Sequence, residues 1–574
     1  MFGFLKSRKD PLADVRSAER WFATPTTADT LATKQQLIEE LGRVTAPAAK
    51  LTPRRLNALF VIDAHAQQLF RSLTTQYVEH ANRSAKIERQ LWSALFDLSQ
   101  AFQIAFRAYE HAALDNEHSG RWQQLLPELV CRQIVHLGHD AKARLYRYEC
   151  WIPGKWAELH QLLALAAARQ FERTPINLTA DRPSTTIEQQ YLMIVVLQLI
   201  DTGNLTPRQL EHVWEELDGW CASLRLSLEP KTVSSFFVDL ASREGMKRRT
   251  SHALEGSVLF VDTQPLHALL MQQQVSVEQA IRNRPRGDET TRLSERLCLL
   301  RRFAAKVDPE PKLLARHGER AIASGNVDAI VGLTKIAGYL REEDRDPDFQ
   351  HHAGKSFGGS LELAVFGRIR NESDRRGELA RHRLAQYAAP DGAWEIKDVS
   401  QTGIRVIAPI KAASDLPIGT LVATRPQLGS TWTLGVVRRM RRHTAERTEV
   451  GLEIVASTLA GVDLVEPRRS SEADYLVDGE DGVISGRSFI ALFLTLQQGG
   501  SGRDVQSLIV PAGEYQYSKR LTLVTSKSIY RVVLGSPIEQ QAEWVWTAVE
   551  PQEIGTRAVP PASAAAHRKS HNSH

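Results

Sequence analysis

No stretch of this 574-residue chain approaches the roughly 20 unbroken apolar residues that a membrane-crossing helix needs; the longest runs, Leu162–Ala168 and Tyr191–Ile200, fall well short. Cysteine is scarce. Cys131, Cys150, Cys221 and Cys298 are never spaced as Cys-x-x-Cys, which argues against a zinc ribbon, a redox pair or a disulfide scaffold. Four scattered thiols read as small reduced residues of a cytoplasmic protein. The opening Met1–Lys9 has no apolar segment of signal-peptide length. Charge of neither sign dominates: 72 basic against 67 acidic residues leave a net charge of +5. That balance does not mark a DNA-binding protein. What remains is an ordinary globular composition, 42% apolar and 24% charged. At about 150 residues per domain, the length suggests three or four domains.

The first half reads as helix. Leu56–His80 and Ile87–Ala113 repeat apolar residues at helical spacing, and Trp122–Tyr148, Trp156–Phe171, Ile187–Ile200 and Arg208–Leu224 continue the series. Thr52-Pro53 and Thr206-Pro207 have the form of an N-cap followed by a first-turn proline. Near residue 230 the pattern changes. Ser257–Asp262 is strand-like, Thr263–Gln274 and Arg292–Lys306 are helical, and Asp308-Pro-Glu-Pro311 breaks the chain. The second half alternates with period two at Asn326–Leu333, Trp394–Val399, Ile404–Ala408, Leu421–Thr424, Trp432–Met440 and Thr448–Val455. Further strand-like segments follow at Ser488–Leu496, Ser507–Val510, Leu521–Ser526, Ile529–Leu534 and Trp544–Val549. The polar stretch Thr334–Gly392, with a helix near Ile336–Arg341, reads as an insertion that would loop out between two strands.

The most specific constellation is Asp398-Val-Ser400-Gln-Thr-Gly403, a polar turn between two alternating segments. Upstream lies Arg316-His-Gly-Glu-Arg320, just before a strand; downstream lie Leu434-Gly-Val-Val-Arg438 and Val450-Gly451-Leu452-Glu453-Ile454. The Arg pair alone is common in this chain: Arg16/Arg20, Arg282/Arg286, Arg292/Arg296, Arg341/Arg345 and Arg438/Arg442 share its spacing. Taken together, however, residues 312–460 resemble the PilZ domain family. That family is built on small six-stranded barrels that bind cyclic di-GMP, a bacterial second messenger. One departure is plain: Arg320 and Asp398 stand 398 − 320 = 78 positions apart, where family members reach the Asp motif within a few tens.

The resemblance implies a multidomain α+β chain. An all-α N-terminal module (1–255) would bind a protein partner, followed by a mixed connector (256–311) and a PilZ-like antiparallel barrel (312–470, insertion 334–392). A C-terminal β region (471–556), extending the barrel or forming a second one, and a disordered tail (557–574) would complete it. It further implies that Arg316, Arg320, Asp398, Ser400 and Gly403 bind cyclic di-GMP, with no other cofactor, no metal and no catalysis. The output would be one such as pili, motility or biofilm. The chemistry suits that ligand. Guanidinium forks take phosphate oxygens bidentately and match the O6 and N7 acceptors of guanine. Asp and Ser complement the guanine N–H donors, and glycine permits close backbone approach.

Two other readings compete. One is a structural adaptor whose barrel no longer binds ligand. The other is a metal-dependent phosphohydrolase of the HD type, built on His139-Asp140 with His80 or His111 and Asp201. Gly354-Lys-Ser356 fits neither a phosphate loop nor a nucleophile elbow in context, and no signature of a cyclase or phosphodiesterase for cyclic di-GMP is present.

Overall fold

The computed structural model describes residues 10–23, 30–46, 50–80, 84–116, 118–200, 202–229, 236–249, 257–283, 288–310, 321–345, 393–400, 402–409, 416–426, 431–442, 447–467, 486–497, 504–525 and 528–556. Arg316, Arg320, most of the 334–392 segment and the 557–574 tail lie outside them. The chain divides into two compact units, Met1–Ala315 and Arg316–His574.

The first unit is helical, as the 3.6-residue patterning requires. Its elements begin with α1 (Val15–Ala23), α2 (Thr30–Gly42), α3 (Pro53–His80), α4 (Ala85–Asp115) and α5 (Gly120–Leu145). They continue with α6 (Pro153–Ala168), α7 (Ile187–Leu199) and α8 (Pro207–Cys221). Thr206 and Gln209 form a reciprocal capping box ahead of α8, and Thr186 caps α7 through the Gln189 N–H. The longest apolar run becomes the centre of this core. Every residue from Tyr191 to Leu197 is buried, which a helix achieves only when other elements surround it. Among the described residues, no helix is long and apolar enough to cross a membrane. A small sheet follows, of β1 (Leu226–Ser227), β2 (Phe236–Asp239), β3 (Lys247–Arg248) and β4 (Val258–Val261) in the order β1-β4-β2-β3. The helices α9 (Gln264–Arg282) and α10 (Asp288–Val307) complete the unit. α9 runs eight residues beyond the predicted Gln274 end, because Val277 still finds the core.

The second unit opens with β5 (Ala321–Val331) and α11 (Leu333–Arg345). There follow β6 (Ala393–Val399), β7 (Gly403–Pro409), β8 (Leu421–Pro426), β9 (Thr433–Arg442) and β10 (Arg447–Ala456). These six strands close into an antiparallel barrel, β10-β7-β6-β5-β8-β9, with β10 pairing both β7 and β9. Closure removes every free edge. Alternation sends Val327, Trp394, Val406, Val422, Val450 and Leu452 to one face, while Ile330, Leu421, Ala423, Leu434 and Val436 take the other; all are buried. The second set needs a cover.

That cover is α11 and a second sheet. The remaining strands are β11 (Leu459–Pro467), β12 (Gly486–Gln497), β13 (Asp504–Pro511), β14 (Arg520–Val524), β15 (Ser528–Val533), β16 (Pro537–Gln540), β17 (Trp544–Ala548) and β18 (Gln552–Thr556). Their order is β16-β17-β13-β12-β11-β14-β15-β18. Leu459, Leu492, Leu494, Ile509, Trp544 and Trp546 share one core with Ile336, Ala337 and Leu340 of α11 and the outer residues of the barrel. The opposite face gathers residues of β13 and β17 with those of β14 and β15, so the sheet curls around a core of its own. Polar ties reinforce the joint. Arg438 grips Glu539 with two bonds of 2.7 Å, Trp544 Nε1 donates to the Gly419 carbonyl at 2.9 Å, and Arg341 pairs with Asp463 at 2.6 Å.

The architecture is the expected helical region followed by a β-rich region with a six-stranded barrel. Two local expectations differ. The segment from Thr334 does not simply loop out of the barrel: its first dozen residues are α11, whose apolar face is core. And β11 is a central strand of the second sheet rather than the end of the barrel segment. Gly461 shows how tightly the helix sits. A Cβ there would lie 2.8 Å from the Arg341 N atom and closer still to the Ala337 carbonyl. Gly461→Ala must push α11 off the sheet, an overpacking cost of about 3 kcal/mol. Calorimetry should show a lowered transition for the second unit, whereas Gly513→Ala, whose Cβ meets nothing within 4 Å, should leave it in place.

Candidate ligand-binding site

Asp398, Ser400 and Gly403 come together at the β6–β7 hairpin. The Ser400 N–H donates to the Gly403 carbonyl at 2.8 Å, and the Ser400 hydroxyl donates to the same oxygen at 3.2 Å, closing the turn. Gly403 is needed for close approach: a Cβ would stand 2.9 Å from the Leu452 carbonyl on β10. The Ile454 N–H in turn donates to the Thr402 carbonyl at 2.9 Å. The hairpin tip is thus fastened to β10, where the Val-Gly-Leu-Glu segment lies.

Asp398 is only 6% exposed, and a buried carboxylate needs a partner. Arg405 supplies it, its Nε donating to Asp398 Oδ2 at 2.6 Å and its Nη1 reaching Glu449 Oε1 at 3.5 Å. Burial works to lower the Arg405 pKa, but Asp398 and then Glu449 hold it above its ordinary value. Sequence reasoning missed Arg405. The signal was period two: Arg405 stands between the inward Ile404 and Val406, which puts it on the Asp398 side of the strand. The register then extends one row across the barrel wall, Asp398 opposite Arg405, Arg405 opposite Gly451, and Gly451 opposite Arg439. Gly451 leaves bare backbone between two arginines.

Arg316 and Arg320 lie outside the described residues. What is described is the strand that follows them. Ala321 pairs with Val399, and Ile322 pairs with Asp398. Ile322 is 93% exposed, an apolar side chain held in solvent beside this corner.

Of the residues considered for a metal site, His139 and Asp140 have other roles. His139 Nε2 faces Gln67 Oε1 at 3.0 Å, with its ring stacked on Phe70. Asp140 is turned elsewhere, accepting from Gln100 at 2.7 Å and from the Trp151 indole at 2.6 Å. Next to them His136 and Arg132 converge on Asp63, at 2.8 and 2.5 Å. Burial would raise the Asp63 carboxyl, but its two neighbours outweigh it and hold it far below the usual range. Asp201 lies outside the described residues, and among those described no group of three or more His, Cys, Asp or Glu side chains could hold a metal ion.

Comparison with known proteins points to one class. Residues 16–231 match the family model described as the N-terminal domain of the cyclic-di-GMP receptor FimW. That match falls on the helical unit, outside the segment that carried the PilZ resemblance. A curated relative, the cyclic-di-GMP receptor FimW of Pseudomonas aeruginosa, is 23% identical over 364 residues, which cover 57% of this chain and 58% of the relative. The chain therefore spans less than two thirds of the length of that relative.

The buried histidines generate a pH dependence. Burial lowers His139 well below its ordinary 6.5, and burial also lowers His160. Both bind a proton less readily in the folded chain than in the unfolded one, so as pH falls through 6.5 the unfolded chain takes up more protons. Stability is then complete above that pH and falls as pH drops through it. Glu110, raised by burial, acts in the opposite sense, one group against two. The unfolding temperature of the helical unit should fall between about pH 7.5 and about pH 5.5, and His139→Gln/His160→Gln should flatten that slope.

Proposed function

We propose that the chain is a cytoplasmic cyclic di-GMP receptor of PilZ type, without catalytic activity. Arg316 and Arg320 would clasp the ligand against Asp398, Ser400 and Gly403. The observation that carries this reading is the β5–β6 register. Arg320 is bonded to Ala321, consecutive Cα atoms are about 3.8 Å apart, and Ala321 is paired with the residue after Asp398. This pairing supports the reading despite the long separation in sequence. The likeness to cyclic-di-GMP receptors in the helical unit supports the same ligand from an independent part of the chain.

In this reading the guanidinium groups meet the two phosphates and stack on guanine. The Asp398 carboxylate, stationed by Arg405, meets the guanine N–H edge. Calorimetric titration with cyclic di-GMP should show binding that Arg316→Ala/Arg320→Ala and Asp398→Ala each weaken by at least about tenfold, the scale of losing one charge-assisted bond. No binding heat to the wild-type chain would leave the non-binding adaptor as the account of this barrel.

Relay would follow from position. The first unit ends at Ala315 and the second starts at Arg316, so ligand held by Arg316 and Arg320 restrains the junction itself. A ligand that binds one arrangement of the junction better shifts the population toward it. A protein partner on the helical unit would read that shift, with pili, motility or biofilm as the regulated output. Small-angle scattering of the full chain should change its profile on saturation with cyclic di-GMP; identical profiles would remove the relay.

A further inference from the structure

The helical unit contains a cleft of about 570 Å³ that has no part in the barrel site. Its walls are the first turns of α1, α3 and α5, which bring Arg16, Arg54 and Arg121 to one opening, with the carboxamides of Asn57 and Gln124 and the apolar side chain of Leu125 beside them. Three guanidinium groups face a single carboxylate, Asp14. That carboxylate is already committed: it accepts from Arg54 at 2.5 Å and from the Ser17 N–H at 2.8 Å. Among the described residues, no acidic side chain forms an ion pair with Arg16 or Arg121. Among the described residues, two positive charges at the cleft therefore have no acidic partner, in a volume within the range of small-ligand sites.

We infer that this cleft binds a phosphate-bearing nucleotide. The pairing is one of chemistry. Arg16 and Arg121 offer planar donor forks to phosphate oxygens, which a solvated ammonium would not match in geometry. Asn57 and Gln124 each carry both a donor and an acceptor, the combination that reads the edge of a base. Leu125 supplies an apolar surface for the face of the base. The N-terminal ends of the three helices add the same sign of field as the arginines. Arg16 also opens one of the Arg-x-x-x-Arg pairs, Arg16/Arg20, that the barrel reading leaves unused. The Arg20 Nε donates back to the Arg16 carbonyl at 3.0 Å, so only the first of the pair lines the cleft.

The test titrates the full chain with GTP, ATP, cyclic di-GMP and inorganic phosphate. It is repeated on Arg16→Ala/Arg121→Ala and on Asp398→Ala. The expected result is that at least one nucleotide binds. Its affinity should fall by at least about tenfold in the double arginine variant, two charge-assisted contacts being lost, and stay unchanged in Asp398→Ala. Both arginines are exposed, so the double variant should keep the wild-type thermal transition. Cyclic di-GMP binding that Asp398→Ala abolishes belongs to the barrel and is set aside; three results would overturn the inference: no nucleotide binding beyond it, such binding surviving loss of both arginines, or inorganic phosphate binding as tightly as any nucleotide.

Discussion

The second unit depends on one register. β5 is paired along one side to β6 and along the other to β8, and slipping it by a single residue would exchange Val327 and Ala329 for Asp328 and Ile330 inside the barrel. The same register sets Ile322 against Asp398 and Ala321 against Val399 at the β6–β7 corner. Packing of the barrel core thus fixes which residues of β5 and β6 stand side by side.

The corner is held by charge as well as by pairing. Asp398 is buried in the barrel wall, and its bond to Arg405 fixes its direction. Glu449 on the next strand balances Arg405. A carboxylate stationed in this way loses little freedom when it meets a ligand, which is how an affinity gain from preorganisation arises. The buried trio of Asp63, Arg132 and His136 in the first unit shows the same logic without an opening to solvent. Asp63 is the shared acceptor there, and removing it would strip that partner from both Arg132 and His136 inside the bundle.

Much of this architecture was legible in the sequence, for identifiable reasons. Leu56–His80 and Arg208–Leu224 are long and strongly periodic, and the Thr-Pro starts of their helices have local chemistry of their own, so their existence and type could be read. The six barrel strands were legible from alternation and turns. β11 was not, because a strand buried on both faces shows no alternation: Leu459, Ala460, Val462, Leu464 and Val465 are all buried. α11 was seen, but its place was not, since nothing local distinguishes a surface helix from one wedged over Gly461. The Asp398–Ser400–Gly403 turn was legible because three residue types at fixed spacing are rare together. Arg405 was not, because one arginine in a strand has meaning only once its neighbour across the hairpin is known. The helical unit, where the family likeness falls, carried no motif that marks the family; bundle cores accept many apolar combinations, and recognition there needs a profile along the whole length.

The outward apolar face of the barrel has a consequence for how such a fold can be handed from one protein to another. Ile330, Leu421, Ala423, Leu434 and Val436 pack, among the described residues, against α11 and the curled sheet, and the chain crosses from β10 to β11 in two residues. A free-standing excised barrel would carry a bare greasy flank and seek company. Shuffling in evolution, or grafting at the bench, must therefore move everything from Arg316 onward as one cassette, because the closed six-strand ring is a geometric module without being a portable one.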